Sequence, residues 1–270
     1  MHLMPRYFDI HSHVTFKDYD QDLEEVLARM RDEEIWTLTV GTDKQTSEES
    51  VAFVQDKEGF YATIGLHPTD TVTETFSESE YRTLGEDPKT VGVGECGFDY
   101  FRPTGNMAFE KKRQLREFEK QMEFAVQYDL PLMIHCRPTK GTVDAYEDMA
   151  ALLESRKRAA GEKLRGNMHF FVGNVAVARR FYDIGFSTSF TGVLTFTHDY
   201  DEVVQFAPLD MLMTETDAPF AAPVPFRGRR NEPSYVKYVV SAIARIRGAE
   251  EEAVRQAMVG NALRVFGIKS

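Results

Sequence analysis

Short apolar runs of strand length alternate with amphipathic stretches of helical length along the chain. Eight runs are rich in Val, Ile, Leu or Phe and mostly lack strict polar alternation, which is typical of parallel strands buried on both faces. The runs cover residues 6–10, 35–40, 61–65, 90–94, 130–134, 167–171, 185–190 and 211–214. The pattern predicts strands that alternate with helices.

Two stretches between these runs predict long helices, residues 107–128 and 142–158. We expect Thr142 to cap the second helix and Gly161 to end it, because hydroxyl side chains favour helix N-termini and glycine favours C-termini. The predicted apolar face of the first helix contains Phe109, Leu115, Phe118, Met122 and Ala125.

The end of the chain, residues 233–266, predicts two or three helices with breaks near Gly248 and Gly260. No Ser/Gly-rich linker or internal repeat divides the 270 residues, so we expect residues 1–270 to form one domain. Eight strands alternating with helices predict an α/β fold of the (β/α)₈ TIM-barrel type. A doubly wound open sheet is the main alternative.

Net charge, apolar run length and cysteine content bear on the possible partners and the location of the protein. The net charge of −11 disfavours a broad electrostatic grip on nucleic acid, although a local basic cluster or bound divalent ions can still engage phosphate. The sequence has no apolar run long enough to span a membrane and no secretory signal, which predicts a cytoplasmic protein. Cys96 and Cys136 lie in apolar strand-like segments and are predicted to be packed thiols.

Six residues that can bind metal stand where predicted strands end. In a parallel barrel these ends converge on one face, whereas an open sheet would not bring all six together, so their placement favours the barrel. A His-x-His pair or a lone histidine is often only a hydrogen-bonded core group, but the repeated placement favours one metal site. The six residues are His11, His13, Glu95, His135, His169 and Asp217.

The two carboxylates among the six residues give the clearest physical reason to expect a metal ion. Glu95 ends an apolar strand, where an ionised carboxylate needs a partner, either an arginine or a cation. Asp217 follows the eighth run and is the expected partner of the His-x-His pair. Asp99 and Tyr100 lie just beyond Glu95 and are candidates for supporting or substrate contacts. Mixed imidazole and carboxylate ligands suit Zn²⁺, Mn²⁺, Fe²⁺, Co²⁺ or Ni²⁺.

The chain resembles the TatD-type metal-dependent deoxyribonuclease family of the amidohydrolase superfamily over essentially its whole length. Several sequence blocks in the correct order make the match specific. The matching blocks cover residues 9–13, 65–68, 94–100, 134–137, 169–173, 215–219 and 230–233. This resemblance implies a TIM barrel, a centre of two divalent ions and hydrolysis of phosphate esters, commonly in DNA.

Carried over residue by residue, the resemblance implies that His11, His13 and Asp217 bind one ion, that His135 and His169 bind a second, and that Glu95 bridges them. Mg²⁺ is also used with members of the family, so the identity of the ion stays open. Two cations roughly 3.5–4 Å apart would neutralise the phosphate and activate a water.

The chemistry of phosphodiester hydrolysis suggests roles for the residues around the metal ligands, and the resemblance adds one for His67. Asp217 is the expected acceptor of the proton of that water, and Glu95 mainly holds the ions together. His67 looks like the family's substrate-side histidine, able to donate to a phosphate oxygen or leaving group; the alternative is a loop histidine held by Pro68. The predicted substrate contacts are His67, Tyr100, Arg137 and, from the basic cluster at 227–230, Arg227.

The residues specify an activated water better than they specify its target. The favoured function is a deoxyribonuclease; the alternative is an amidase, lactonase or aminoacyl ester hydrolase, and a non-catalytic binding barrel is disfavoured because all six candidate ligands are present. Departures from the family pattern at Val14-Thr15, Phe98, Phe101 and Pro138-Thr139 affect the substrate mouth. The expected partner is DNA or another phosphate ester, with no membrane and no obligate protein partner.

Overall fold

All eight strands join in one parallel sheet whose order follows the chain, in a computed structural model that describes residues 4–269. This confirms the predicted TIM barrel, because helices follow the strands around the sheet. The strands are β1 (Tyr7–Ser12), β2 (Ile35–Val40), β3 (Phe60–Ile64), β4 (Thr90–Asp99), β5 (Leu132–Arg137), β6 (Gly166–Met168), β7 (Ser187–Phe190) and β8 (Leu212–Thr214).

The segment after β8 closes the barrel against β1. The backbone N–H of Asp217 donates to the carbonyl oxygen of His11 at 2.9 Å, and the N–H of His13 donates to that of Ala218 at 2.7 Å. Ser12 and Ala218 form a parallel bridge. The first strand and the last loop are therefore joined beside two of the predicted metal ligands.

Three strands are longer at their carboxyl ends than the sequence predicts. His11, Glu95 and His135 lie inside β1, β4 and β5, rather than just beyond them. The prediction ended these strands where polar residues begin, but the backbone continues beyond those points, and β4 pairs with β5 as far as Asp99.

Nine helices surround the sheet in the part of the chain from residue 4 to residue 269, several of them capped by Asp or Asn side chains that accept from first-turn amides. The helices are α1 (Leu23–Asp32), α2 (Lys44–Val54), α3 (Glu78–Gly85), α4 (Met107–Gln127), α5 (Asp144–Ala160), α6 (Val175–Asp183), α7 (Asp201–Phe206), α8 (Val236–Arg247) and α9 (Glu251–Val265).

The predicted apolar face of α4 is partly wrong. Phe118, Met122 and Ala125 are buried as expected, but Phe109 is 73% exposed and Leu115 is 37% exposed. The reason is that α4 buries polar residues in the same stripe, including two glutamines whose amide groups bond to backbone.

These two glutamines tie α4 to the end of β4 and to the loop after β3, which carry or adjoin site residues. Gln114 accepts from the N–H of Asp99 at 2.9 Å and donates to its carbonyl oxygen at 3.0 Å. Gln121 makes the same pair of bonds to Leu66, at 2.7 and 3.0 Å. Each side chain thus satisfies the backbone N–H and carbonyl oxygen of one buried residue and fixes the backbone there.

The ends of the other predicted helices are mostly confirmed. Gly161 ends α5, but α5 begins at Asp144 without the predicted Thr142 as its cap residue. Gly248 ends α8 in a left-handed conformation, with φ of 60°, which favours glycine. Gly260, in contrast, lies inside a continuous α9, because a single glycine costs a helix only about 1 kcal/mol.

Helix α9 covers one end of the barrel interior. Its residues Val259, Leu263 and Phe266 pack with inward-facing strand residues such as Phe8 and Met133 in one apolar cluster. A larger cluster lies between the sheet and the surrounding helices. Between residues 4 and 269, no helix has the length and apolar character needed to cross a membrane. Cys96 and Cys136 are buried free thiols, as predicted.

Candidate metal centre

The six predicted metal-binding side chains meet at the carboxyl ends of the strands. His11, Glu95 and His135 project from β1, β4 and β5, and the other three stand on the residues that follow β1, β6 and β8. Asp217 adopts a left-handed conformation with φ of 54°. Its side chain is 15% exposed, and among the six only that of His135 is comparably open.

Two glycines let β4 bring Glu95 close to β5. A Cβ atom at Gly94 would lie 2.3 Å from the carbonyl oxygen of Met133, and one at Gly97 would lie 2.1 Å from that of His135. Both glycines have positive φ, 151° and 139°. Only glycine fits both the space and the backbone at these positions, so the glycines on either side of Glu95 support its placement.

The first group consists of His11, His13, Asp217 and one oxygen of Glu95. Nε2 of His11 lies 3.2 Å from Nε2 of His13, 3.5 Å from Oε2 of Glu95 and 3.7 Å from Oδ1 of Asp217. Nε2 of His13 lies 3.8 and 3.6 Å from the same two oxygens. Ligands bound at about 2.0–2.2 Å to a tetrahedral cation are separated by about 3.3–3.6 Å, so the four atoms suit one divalent ion.

The second group surrounds the other oxygen of Glu95. Oε1 lies 2.7 Å from Nδ1 of His135 and 2.9 Å from Nε2 of His169, and these two nitrogens are 3.4 Å apart. Nε2 of His67 lies 3.4 Å from the same oxygen. The two oxygens of Glu95 thus face two different sets of imidazoles, which is the arrangement of a bridging carboxylate.

The partners of the outer ring nitrogens show which nitrogens are free to bind a cation. Nδ1 of His13 lies 3.0 Å from the carbonyl oxygen of Val40, which can only accept, so the neutral ring has its lone pair on Nε2. Nε2 of His135 lies 3.2 Å from Oδ2 of Asp99, which likewise leaves a lone pair on Nδ1. Both lone pairs point into the groups described above, so the donor set fits divalent metal.

Burial and charge act against each other in this site. Burial disfavours ionised Glu95, yet the nearby His169 and His67 outweigh it and hold the pKa of that carboxyl well below its usual range. Burial and the neighbouring His169 lower the pKa of His11 to about 3. Burial favours the neutral forms of His13, His135 and His169, but the nearby carboxylates outweigh it and raise the pKa of all three rings. Protons therefore compete with a metal cation for these imidazoles.

Sequence reasoning missed Glu215 as a member of the site. This carboxylate is buried and accepts from the N–H of Phe170 at 2.6 Å and the hydroxyl of Ser189 at 2.7 Å. Its Oε1 also lies 3.4 Å from Nδ1 of His169, so it orients that ring from behind. The signal available was its position two residues before Asp217.

His67 lies in the site, as predicted, and Thr69 contacts one of its two ring nitrogens. Its Nδ1 accepts from the backbone N–H of Thr69 at 3.2 Å and lies 2.7 Å from the hydroxyl of the same residue. Burial is the main cause of a lowered pKa, so the ring is neutral and its proton is on Nε2. Geometry alone groups His67 with Glu95 and His135 as possible ligands, but a protonated Nε2 makes His67 a donor instead.

The other predicted substrate contacts are not all at the mouth. Tyr100 is buried and its hydroxyl lies 3.1 Å from Oδ2 of Asp148, so its placement gives no support to substrate contact. Arg137 lies over the ring of Phe101, with Cζ 4.2 Å from the centroid. Arg227 is exposed on the ring of Phe196. The contacts of these three residues with substrate remain predictions.

Fold and site together define a TIM barrel with a candidate metal centre made of histidines and carboxylates. Residues 8–267 match the model of the family described as TatD related DNase. The chain belongs to that family and is a metal-dependent hydrolase.

Individual relatives agree with this assignment. The uncharacterized metal-dependent hydrolase YabD of Bacillus subtilis is 37% identical over 97% of this chain and 99% of its own. The 3'-5' ssDNA/RNA exonuclease TatD of Cronobacter sakazakii is 31% identical over 96% of this chain and 97% of its own. The crystal structure of YjjV, a TatD homologue from Escherichia coli, superposes with a TM-score of 0.86 at 25% identity and covers 99% of this chain and 100% of that one.

Proposed function

We propose that the protein is a nuclease that hydrolyses phosphodiester bonds in single-stranded DNA or RNA at a centre of two divalent ions. The observation that carries the proposal is the position of Glu95, whose two oxygens face separate sets of imidazoles. The activity of the Cronobacter sakazakii relative, named as an exonuclease on single-stranded DNA and RNA, supports this substrate class.

His11, His13 and Asp217 would hold one ion, His135 and His169 the other, and Glu95 both. When bound, such ions neutralise phosphate charge and lower the pKa of a water that attacks phosphorus. Imidazole-rich ligation supports Zn²⁺, Mn²⁺, Fe²⁺, Co²⁺ or Ni²⁺ over Mg²⁺ as the resident metal, because Mg²⁺ prefers oxygen ligands.

Asp217 accepts the proton of the attacking water in this proposal. Its carboxylate lies 3.7 Å from Nε2 of His11 and is partly open to solvent, so it can reach a water in front of the ligands. Its backbone N–H is bonded to the carbonyl of His11, which fixes the residue against β1. Glu95 is more enclosed and better suited to hold the ions.

His67 donates its Nε2 proton to a phosphate oxygen or to the leaving oxygen. Thr69 supports this role, because its backbone N–H donates to Nδ1 and so favours the proton on Nε2, while its hydroxyl also contacts Nδ1. A neutral donor in a buried site stabilises the charge that develops on oxygen in the transition state.

Arg102, which the sequence reasoning did not select, is a further candidate contact for phosphate. Its guanidinium bonds to Oδ2 of Asp99 through Nε at 2.9 Å and Nη2 at 2.6 Å, and its side chain is 50% exposed. Asp99 is the same carboxylate that orients His135. Arg102 is therefore held beside the second group with part of its surface available to an anion.

The proposal assigns the activity to one domain that spans residues 1–270, which is supported by the single sheet that all eight strands form. It also assigns the protein to the cytoplasm, which is supported by two buried cysteines that are not paired. It requires no protein partner, since the six candidate ligands come from one chain.

The deciding experiment combines metal analysis with a hydrolysis screen. The purified protein is expected to bind two divalent ions per chain and to shorten single-stranded DNA and RNA, with the products identified by mass spectrometry. Chelation should abolish the activity and the matched ion should restore it. The Glu95→Gln variant should lose both bound ions and activity, whereas Glu154→Gln, which removes only a surface ion pair with Arg180, should retain both.

Carboxylic esters, lactones and amides belong in the same screen, because an activated water can also attack a carbonyl carbon. Cleavage of one of these compounds while DNA and RNA stay intact would replace the nuclease by the alternative hydrolase. Hydrolysis of DNA that continues after complete metal removal would reject the mechanism.

A further inference from the structure

We propose that Phe101 and Phe220 stack on unpaired bases on the two sides of the hydrolysed phosphate. The two phenyl rings form a base clamp, a name we use for this pair only. The inference rests on the proposed nuclease function and deepens it, because it states what the enzyme recognises besides phosphate and which residues recognise it.

Phe220 lies beside the first group of ligands. Its ring centroid is 6.3 Å from that of His13, and its backbone N–H donates to the carbonyl oxygen of Asp217 at 2.8 Å. The side chain is nevertheless 52% exposed. On His13 there is also Phe16, stacked at 4.5 Å and partly buried. Phe16 therefore packs the imidazole, while Phe220 offers aromatic surface next to it.

Phe101 lies beside the second group. Its backbone N–H donates to Oδ1 of Asp99 at 3.0 Å, and the other oxygen of that carboxylate contacts His135. The ring is 44% exposed, although Arg137 lies over it at 4.2 Å. A guanidinium on an exposed ring suits a nucleotide, because the ring can stack on a base while the cation attracts the adjoining phosphate.

Phe220 thus lies beside His13, a candidate ligand of the first ion position, and Phe101 is linked through Asp99 to His135, a candidate ligand of the second. Glu95 lies between the two positions. A strand whose phosphate reached this centre would have a base near each ring. Every base has an aromatic face, so stacking holds a strand without selecting its sequence, whereas bases inside a duplex are already stacked and paired. The overall charge of −11 is compatible with such a site, because stacking needs no extended basic surface.

The test uses substrates with a single phosphodiester bond. Thymidylyl-thymidine is compared with two analogues in which either the 5' or the 3' nucleoside lacks its base, and kcat/KM is measured for the wild type, Phe101→Leu and Phe220→Leu. Phe109→Leu is the matched control, because this phenyl ring is exposed on α4 and has no contact with the ligands. Metal content and circular dichroism verify that each variant is folded and loaded.

The wild type should prefer each base over its abasic analogue by roughly 5- to 100-fold. Phe101→Leu and Phe220→Leu should each lose most of the preference for one of the two bases, the 5' base in one variant and the 3' base in the other. Phe109→Leu should keep both preferences. A second readout measures binding without turnover. The metal-free wild type should quench the fluorescence of a single strand containing 2-aminopurine, and the double variant that carries both Phe101→Leu and Phe220→Leu should quench it less.

The outcomes separate the two proposals. If the wild type hydrolyses base-bearing and abasic compounds equally, or if both variants keep the full preferences, the base clamp is wrong while the nuclease stands. If the wild type cleaves a carboxylic ester but cleaves neither these dinucleotide compounds nor DNA or RNA strands of greater length, the proposed function fails. The base clamp then fails with it.

Discussion

Asp99 accepts a hydrogen bond from Nε2 of His135 at 3.2 Å and thereby turns Nδ1 of the same ring toward Glu95. Burial opposes the ionisation of Asp99, but hydrogen bonds from His135 and Arg102 outweigh it and lower the pKa of this carboxyl. A carboxylate behind a ligating histidine fixes the ring and raises its basicity. Asp99 therefore links the mouth of the site to one of its candidate ligands.

We predict that Asp99→Asn weakens metal binding in the second group about 10- to 100-fold. The amide has the same shape, but it carries no charge and no longer favours the ring orientation seen here. Competition with a fluorescent chelator measures the two affinities, and the first group should be little affected. Asp148→Asn is the control, since that carboxylate bonds to Tyr100 and Lys111 outside the ligand groups. Equal affinities in Asp99→Asn and wild type would contradict the role assigned to Asp99.

Metal should stabilise the folded chain through Glu95. At an ion concentration 100 times the dissociation constant, each bound ion adds about 2.7 kcal/mol by linkage, and one such ion corresponds to a rise of roughly 5–10 °C in Tm for a protein of this size. Differential scanning fluorimetry with and without chelator measures the shift. Glu95→Gln should show almost none of it. A full metal-dependent shift in this variant would mean that the ions bind elsewhere.

His67→Ala separates a hydrogen-bond donor from a metal ligand. We expect kcat on an oligonucleotide to fall by about 100- to 1,000-fold, which is the usual cost of removing a donor to a developing oxyanion, while the metal content stays at the wild-type value. His198→Ala is the matched histidine control, because His198 is exposed and pairs with Asp201 outside the candidate ligand groups. Loss of one bound ion from His67→Ala would show that His67 is a ligand.

Arg102→Gln should weaken binding of single-stranded oligonucleotides and reduce its salt dependence. One lost phosphate contact lowers the slope of log K against log salt by about 0.7 for a single strand. Fluorescence anisotropy over a range of salt concentrations gives this slope. Arg82→Gln, which removes a surface pair with Glu78, should leave it unchanged. An unaltered slope in Arg102→Gln would exclude a direct phosphate contact.

Arg29→Met should destabilise the fold without touching the candidate ligands. Nη2 of Arg29 lies 2.6 Å from Oε2 of Glu232, a carboxylate that is only 6% exposed. Removing the arginine leaves this carboxylate with fewer donors, at a cost of roughly 1–3 kcal/mol in the free energy of unfolding. Urea denaturation measures the loss against Arg31→Met, an exposed position on the same helix. Equal stability of the two variants would contradict the prediction.

The barrel and the ligand positions were predictable because both depend on local patterns. Buried parallel strands appear as apolar runs, and acids or histidines at their ends stand out against them. The exact strand ends were harder to predict from the sequence. Strand β4 continues through Glu95 to Asp99 because its backbone pairing with β5 does not depend on side-chain polarity.

Residues that act through long-range contacts could not be identified in this way. Glu215 orients His169, and Gln114 and Gln121 satisfy buried peptides of distant loops, but nothing in their immediate sequence names these partners. The exposure of Phe109 follows from the same cause, because buried glutamines rotate α4 away from the orientation that its apolar residues suggest.

Closure of the barrel between the first strand and the last loop has a consequence for how the protein matures. His11 and His13 emerge early in synthesis and Asp217 late, and their peptide groups pair only when the two ends of the chain have met. The first ion position is therefore complete only in the finished barrel. Metal will bind a nascent or truncated chain weakly. Metal binding will therefore stabilise those molecules whose last strand has docked beside the first.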